Sequence, residues 1–501
     1  MLRSLLVLTC MLLGLRFAPL SAATGTPDVS KALAADLKSK NSATRRDAVI
    51  VLGDQKSAQA VELMLNALKD EAPRVSDTAQ LSLPSMITSD TLELVLGKQG
   101  LGSRDDWVKL RAAEACGRMQ VPFESDWMLG ALKAKDERTR SAALWTLERL
   151  SLAGYLPAGL SKKALAEVKK RLKDKVGHVA AMALHCLTAV DVERGMELAS
   201  GYAESKSSEL RAASVQLQAR HGPRDQLAAV LARALLDEDF GVRTSAVEEC
   251  SKEPNKSVLE ELVRHLPLEP RPRLQWTIVK RLQELSARKH RIIPEAWQAW
   301  VDSLGDDWKR TEDEYDDLDS GEAVTAFAGL NVLSGRVCFL IDFSGSFWKQ
   351  GRNDKTRKEA AEVELRRALE ALPEEAMFNL IPFANEPDPW KEELVRATPR
   401  NVKAAIASFE KSNLMGKGNF WDALKLALQD PSVDNIVVLT DGAPTGGRRW
   451  NLKLMGPLLS ERNRFRRVVL DAVLVDCTPS LVWMWRNMCA EAGGRLVEIS
   501  L

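Results

Sequence analysis

The stretch Val337-Cys338-Phe339-Leu340-Ile341-Asp342-Phe343-Ser344-Gly345-Ser346 runs from an unbroken apolar segment into a carboxylate and two hydroxyls on alternate residues. A segment apolar on both faces fits the central strand of a parallel sheet. In an extended loop the side chains of Asp342, Ser344 and Ser346 point the same way. Three oxygen donors so placed make a candidate divalent-cation site. Hard oxygens favour Mg²⁺, Mn²⁺ or Ca²⁺ over zinc or copper, which prefer nitrogen and sulfur.

From this stretch to the C-terminus, apolar runs alternate with amphipathic ones, the pattern of a parallel sheet covered by helices on both faces. Strands are predicted over 337–341, 378–382, 436–440, 468–475 and 496–499, and helices over 356–372, 402–411, 420–428, 457–462 and 482–492. Residues 334–501 therefore read as an α/β doubly wound, Rossmann-like domain. Ligands of such sheets bind beyond the carboxyl ends of the strands. Both Asp342-Phe343-Ser344-Gly345-Ser346 and Thr440-Asp441-Gly442 fall there.

Upstream, residues 28–300 repeat a helix pair whose second member opens on a small or apolar residue, often followed by a base. The anchors are Thr44-Arg45-Arg46-Asp47-Ala48, Val75-Ser76-Asp77-Thr78-Ala79, Val108-Lys109-Leu110-Arg111-Ala112, Thr139-Arg140-Ser141-Ala142-Ala143, Val179-Ala180-Ala181-Met182-Ala183, Leu210-Arg211-Ala212-Ala213-Ser214, Val242-Arg243-Thr244-Ser245-Ala246 and Leu274-Gln275-Trp276-Thr277-Ile278. Their second residues recur about every 31 to 33 positions, with one gap of about 40. Such periods mean stacked helical units, none of which buries a core alone. First helices are read at 60–68, 165–172 and 227–236. The pattern resembles HEAT-type repeats, including the bacterial short form called phycobilisome-lyase-like, which implies an all-α solenoid. The recurring bases are expected to pair with Asp or Glu of a neighbouring repeat. His178, His185, His221, His265 and His290 show no ligand spacing and read as structural or surface residues. No nucleophile and base are placed together in this half, which argues against a lyase or hydrolase role for the array.

The whole chain, 501 residues with 70 Lys and Arg against 69 Asp and Glu, is long enough for several domains. That balance argues against a dedicated binder of nucleic acid or anionic membrane. Met1-Leu2-Arg3, an apolar run over 4–15 and Ser21-Ala22-Ala23 have the parts of a secretory leader at 1–23. The run falls short of the ~20 residues a permanent span needs, although Arg16 disturbs the cleavage region and a retained anchor is the alternative. Export to the periplasm, cell envelope or extracellular space is expected, with no transmembrane span after cleavage. Cys10 lies in the leader. Cys116, Cys186, Cys250, Cys338, Cys477 and Cys489 lack the spacing of a zinc site or disulfide framework and read as mostly buried thiols, with a Cys477–Cys489 bridge left open. Residues 301–333 read as an acidic linker whose carboxylates are not spaced as in an EF-hand.

The C-terminal third resembles a von Willebrand factor A-type domain. Three features carry the likeness, in the family's order: the Asp-x-Ser-x-Ser loop, the helix start Asn419-Phe420-Trp421-Asp422-Ala423-Leu424, and the strand end Leu439-Thr440-Asp441-Gly442. The resemblance implies a metal-ion-dependent adhesion site in which Asp342, Ser344, Ser346 and Asp441 coordinate Mg²⁺, or Mn²⁺ or Ca²⁺, some of them through water. One departure bears on this, because Gly418 stands where the family carries a threonine and has no side-chain oxygen. The alternative is a retained fold in which Asp342 and Asp441 only cap backbone N–H groups. Trp348, Trp421 and Trp450 lie in or just after the three loops. They are either a partner-binding surface or packing for the sheet edge and helices. Arg448 and Arg449 beside Trp450 either attract an acidic partner or stay solvated.

The functional expectation is an exported, non-enzymatic binding protein whose metal takes a carboxylate from a protein partner, with the array as a second surface. The alternatives are a metal-free scaffold and metal-assisted hydrolysis or lyase chemistry.

Overall fold

A computed structural model describes residues 31–156, 158–309, 323–350 and 356–500. The expected leader at 1–23 and most of the acidic run, 310–322, lie outside the described residues. Helices Ser42–Gly53, Pro73–Met86, Asp106–Cys116, Glu137–Leu152, Gly177–Val190, Ser208–His221, Phe240–Cys250 and Pro272–Ser286 each contain one of the eight anchors. Several start on side-chain caps, with Asn41, Asp105, Asp136, Ser207 and Asp239 accepting N–H groups of the first turn. First helices include Ala58–Ala67, Lys162–Arg171 and Leu227–Leu235, and all share one continuous apolar core.

The expected ladder of bases is present at four anchors. Arg45 pairs with Asp70 at 2.6 Å, Arg140 with Asp174 at 2.9 Å, Arg211 with Asp237 at 2.6 Å and Arg243 with Glu269 at 2.9 Å. Each of those carboxylates also accepts a backbone N–H, from Ala72, Val176, Asp239 and Arg271 respectively. One acidic side chain thus ties a repeat to its predecessor and shapes the turn into the next second helix. Cys116, Cys186, Cys250, Cys338 and Cys489 are buried thiols, Cys477 is half-buried, and Cys477 and Cys489 are not bridged. Among the described residues no helix is long and apolar enough to cross a membrane.

The sheet domain begins with a hairpin, β1 Thr325–Phe327 and β2 Leu330–Val332. Then follow β3 Arg336–Asp342, β4 Met377–Phe383, β5 Val395–Arg396, β6 Asn435–Thr440, β7 Val469–Val475 and β8 Leu496–Ile499. The last six form one sheet, in the order β5-β4-β3-β6-β7-β8, parallel except for β5. Helices Arg357–Glu370 and Pro399–Lys411 cover one face, on a core with Phe339, Ile341 and Phe378. Helices Phe420–Ala427, Leu452–Asn463 and Pro479–Glu491 cover the other, on Leu340, Val438 and Leu470. Phe327, Leu330 and Val332, expected in the linker, instead belong to the first of these cores. The turn between them, Ala328 and Gly329 at φ 47° and 83°, has the positive dihedrals of a two-residue hairpin.

The two halves meet in an extensive polar interface along the second helices. Arg449 donates to Gln80 Oε1 and Glu114 Oε2, both at 2.6 Å. Arg111 bonds Asp77 Oδ1 and Gln80 Oε1 at 2.7 Å and the carbonyl of Arg448 at 3.0 Å. The other Asp77 oxygen accepts the backbone N–H of Trp450 and Asn451, at 2.5 and 2.9 Å. Further along, Arg464 forks onto Glu148 with two bonds of 2.7 Å, and Phe465 enters the core of the array between His178 and His185. Gly241 permits this approach, since an added Cβ would stand 2.3 Å from the Phe465 carbonyl oxygen. Arg467 reaches Glu248 at 2.9 Å, and Arg271 reaches Asp434 at 2.9 Å. Burial lowers the Arg111 guanidinium to about 10, helped by nearby Arg449 and opposed by Asp77. Burial pushes the Glu114 carboxyl up, yet Arg449 and the Gln80 bond hold it below its ordinary value.

Candidate functional site

The chain runs outward from β3 through β4 to β5, and then from β6 through β7 to β8 on the other side. The loops after β3 and β6 therefore open side by side at the switch point of the sheet. The loop before helix Phe420–Ala427 closes the third side, with Ser344 bridged to Gly416 and the Gly345 N–H donated to the Gly416 carbonyl. Here four of the sequence-derived residues come together. Ser344 Oγ and Ser346 Oγ are 3.0 Å apart, and Ser346 Oγ donates to Asp441 Oδ1 at 2.9 Å. Asp342 lies beneath them, its Oδ1 accepting the Ser344 N–H at 2.8 Å and its Oδ2 the Thr440 hydroxyl at 2.7 Å. Burial raises the Asp342 carboxyl to about 6; the Thr440 and Ser344 bonds pull it down and Asp441 pushes it up.

Two features bear on whether a cation fits. A Cβ on Gly418 would stand 3.1 and 3.2 Å from the Asp342 oxygens, so position 418 faces this carboxylate and supplies it with no hydroxyl. Thr445 lies behind, its hydroxyl accepting the Gly418 N–H at 3.0 Å. The second feature is Arg357, at the start of helix Arg357–Glu370, whose Nη1 sits 2.5 Å from Asp441 Oδ2 and whose Nη2 sits 3.3 Å from Asp476. Among the described residues no cluster of three or more His, Cys, Asp and Glu can hold a metal. The converging donors are two carboxylates and two hydroxyls. Their chemistry fits a hard divalent cation, while part of their negative charge is already balanced by Arg357.

The tryptophans do not form an exposed rim. Trp421 is buried in the core of the sheet domain. Trp348 is half-buried, donates to the Leu414 carbonyl at 3.0 Å and carries Lys358 over its ring. Trp450 is half-buried at the start of the interface, and Arg449 is sealed within it rather than solvated. Packing and docking explain all three rings. Thr440 belongs to the strand end Leu439-Thr440-Asp441-Gly442 but carries no role in the sequence reading, and Thr445 and Arg357 belong to no motif there. Arg357 reaches Asp441 only through the fold. On the same edge Met415 is exposed.

Residues 16–82 and 335–470 match the family model described as von Willebrand factor type A domain. The second segment covers β3 to the start of β7, whereas the first falls on and before the helical array. The sheet domain is thus a von Willebrand factor type A domain, preceded by stacked pairs of helices. Similar curated proteins are the inter-alpha-trypsin inhibitor heavy chain 4 of Mus musculus, 33% identical over 144 residues, and heavy chain H3 of Homo sapiens, 34% over 126 residues. These alignments cover 26% and 23% of this chain and only 15% and 14% of the relatives' length. Among solved structures, a von Willebrand factor type A protein from Catenulispora acidiphila aligns at 17% identity and TM-score 0.28, over 33% of this chain and 38% of that one. The CpcE and CpcF complex of phycocyanin lyase from Nostoc sp. PCC7120 aligns at 17% identity and TM-score 0.27, over 58% of this chain and 99% of that one.

Proposed function

We propose that the chain is a non-enzymatic binding protein that recognises a protein partner at the carboxyl edge of its sheet. The carrying observation is the convergence of Ser344, Ser346 and Asp441 at that edge while another side of the domain is locked to the array. The second helices serve as a cradle for this domain rather than as a second free surface along the stretch the domain covers. A divalent cation, Mg²⁺, Mn²⁺ or Ca²⁺, would be held by Ser344, Ser346, Asp441 and Asp342. When bound, it supplies an open coordination position for a partner's carboxylate. Asp342 orients the loop through the Ser344 N–H and Thr440, and Arg357 neutralises Asp441 in the cation-free protein. The leader-like sequence at 1–23 supports export to the periplasm, cell envelope or extracellular space.

The Arg357–Asp441 pair and Gly418 favour a second reading, a metal-free scaffold that uses the same edge. Calorimetric titration of Mg²⁺ and Mn²⁺ into the full chain separates the two. Saturable binding that Asp342→Ala abolishes supports the metal-dependent reading. No heat at millimolar metal, in both the folded wild type and Arg357→Ala, leaves only the metal-free one.

A further inference from the structure

At the opposite end of the sheet, a cavity of about 640 Å³ opens between the two halves. The array contributes helices Phe240–Cys250 and Pro272–Ser286, and the sheet domain contributes the approaches to β7 and β8. Its size is that of a small-molecule site. Its charge is one-sided: Arg273, Lys280, Arg281, Arg467 and Arg495 line it, against the carboxylates of Glu248 and Glu491. Arg467 and Glu248 neutralise each other at 2.9 Å, and Arg281 turns to Glu284 at 2.7 Å.

What remains is unevenly compensated: Arg495 faces the Asp471 carboxylate at 3.9 Å and donates to the Asn331 carbonyl, whereas Arg273 and Lys280 are less well matched. Arg273 is nine-tenths buried, yet among the described residues its hydrogen bonding amounts to Nη2 on the Gly493 carbonyl at 3.1 Å. Its Nε is buried with no partner among the described residues, as is the Thr244 hydroxyl in the same wall. Burial holds the Arg273 guanidinium below its ordinary range, with Asp471 offsetting part of the effect and Arg495 adding to it. Lys280, exposed at the mouth, makes no ion pair among the described residues. Buried donors left unmade are costly and rare, and two in one wall of a roomy cavity mark a place where an acceptor belongs.

We propose that this cavity binds a small polyvalent anion, carrying phosphate or carboxylate groups, between Arg273 of the array and Arg495 of the sheet domain. A guanidinium presents a planar fork of donors that matches either group. Lys280 adds an unpaired charge at the entrance. Because the ligand touches both halves only when they are docked, its binding stabilises the docked form by mass action. The site is separate from the carboxyl edge and does not depend on the function proposed for it.

The test is calorimetry on the full chain with inorganic pyrophosphate and with citrate at about 0.15 M salt, where exposed charges are screened. Expected is saturable binding of at least one probe with a rise in melting temperature, weakened ~10-fold or more by Arg273→Gln, which removes a buried charged donor. Lys280→Gln, exposed and harmless to folding, is expected to weaken it several-fold, which keeps the test meaningful should Arg273→Gln fail to fold. Arg366→Gln, on a distant helix, is the control. Pyrophosphate alone binding makes the ligand a phosphate compound; citrate alone makes it a carboxylate. The proposal is overturned if neither probe saturates, or if all three variants bind as the wild type does.

Discussion

One loop, residues 441–451, carries an arginine–carboxylate contact at each end, and the two ends behave oppositely. At the array end, the side chains of Arg449, Asp77 and Glu114 are 2%, 0% and 5% exposed and each charge is bonded several times. At the open end Asp441 is as buried, 2% exposed, but its partner Arg357 is 19% exposed and holds it from the solvent side. Removing one partner from a sealed cluster strands a charge that water cannot reach, so such contacts fix how two bodies sit. A guanidinium that water can reach is exchangeable, so it tunes what else the carboxylate binds. The loop thus joins a fixed anchor to an adjustable site.

Arg449→Ala attacks the anchor and carries the largest expected effect. Glu114 would stay buried without its cation, a loss of about 3–5 kcal/mol in denaturant unfolding. The neighbour Arg448→Ala, an exposed side chain, should cost under about 1 kcal/mol. Equal losses in the two variants would remove the distinction between the ends of the loop.

Acid probes the same interface more gently. Burial, with Arg462 and Arg464 adding, takes His178 from its ordinary 6.5 to about 3. A lowered folded pKa contributes stability above the unfolded value that is lost as pH falls, here through the window from 6.5 towards 3. Glu461, raised to about 7 by burial despite Arg118, works the other way, since its contribution is complete below 4.5 and fades as pH rises. The two oppose each other between pH 4.5 and 6.5, so the wild-type profile alone is uninformative. The informative quantity is the stability of the wild type minus that of His178→Gln, expected to fall by about 2–3 kcal/mol across that window. A difference that stays constant with pH would contradict a neutral, half-buried His178.

At the open end, Arg357→Ala removes the cation that competes for Asp441. Mg²⁺ affinity in the full chain should rise ~10-fold, about 1.4 kcal/mol, while metal-free unfolding stability falls by less than in Arg449→Ala, because Asp441, 2% exposed, loses its cation. Unchanged or weaker affinity would mean that the guanidinium does not compete with metal and only orients the carboxylate.

Periodic, local features were the legible ones. All eight anchors lie in observed second helices, and the five predicted strands lie in the sheet, because 3.6 and 2 residue patterns are written along the chain. The Arg45, Arg140, Arg211 and Arg243 ladder was legible for the same reason. The two-residue β5 and the β1–β2 hairpin are too short to show a period. At the site, Asp342, Ser344, Ser346 and Asp441 were legible as a motif. Arg357 lies on a helix turned towards Asp441 only by the closed sheet. The interface was hidden for a different reason, since Asp77 with Trp450 and Glu148 with Arg464 are brought together from more than 300 residues apart. Its available signal was Arg448, Arg449, Arg462, Arg464, Arg466 and Arg467 crowded into twenty residues of a nearly neutral chain.

The smallest expected effect sharpens the open end further. Gly418→Thr places the family's hydroxyl where a Cβ meets the Asp342 oxygens at 3.1 and 3.2 Å. Asp342 is held from both sides by Ser344 and Thr440, so it yields little, and the crowding should cost about 0.5–1 kcal/mol of stability. The added oxygen donor offsets that in the metal-bound state and should tighten Mg²⁺ a few-fold, under about 1 kcal/mol. In the Arg357→Ala background the gain should be larger, because donor and charge then act on the same ion, and a double-mutant cycle on Mg²⁺ affinity measures that coupling. Strict additivity would show that positions 357 and 418 do not share a cation site.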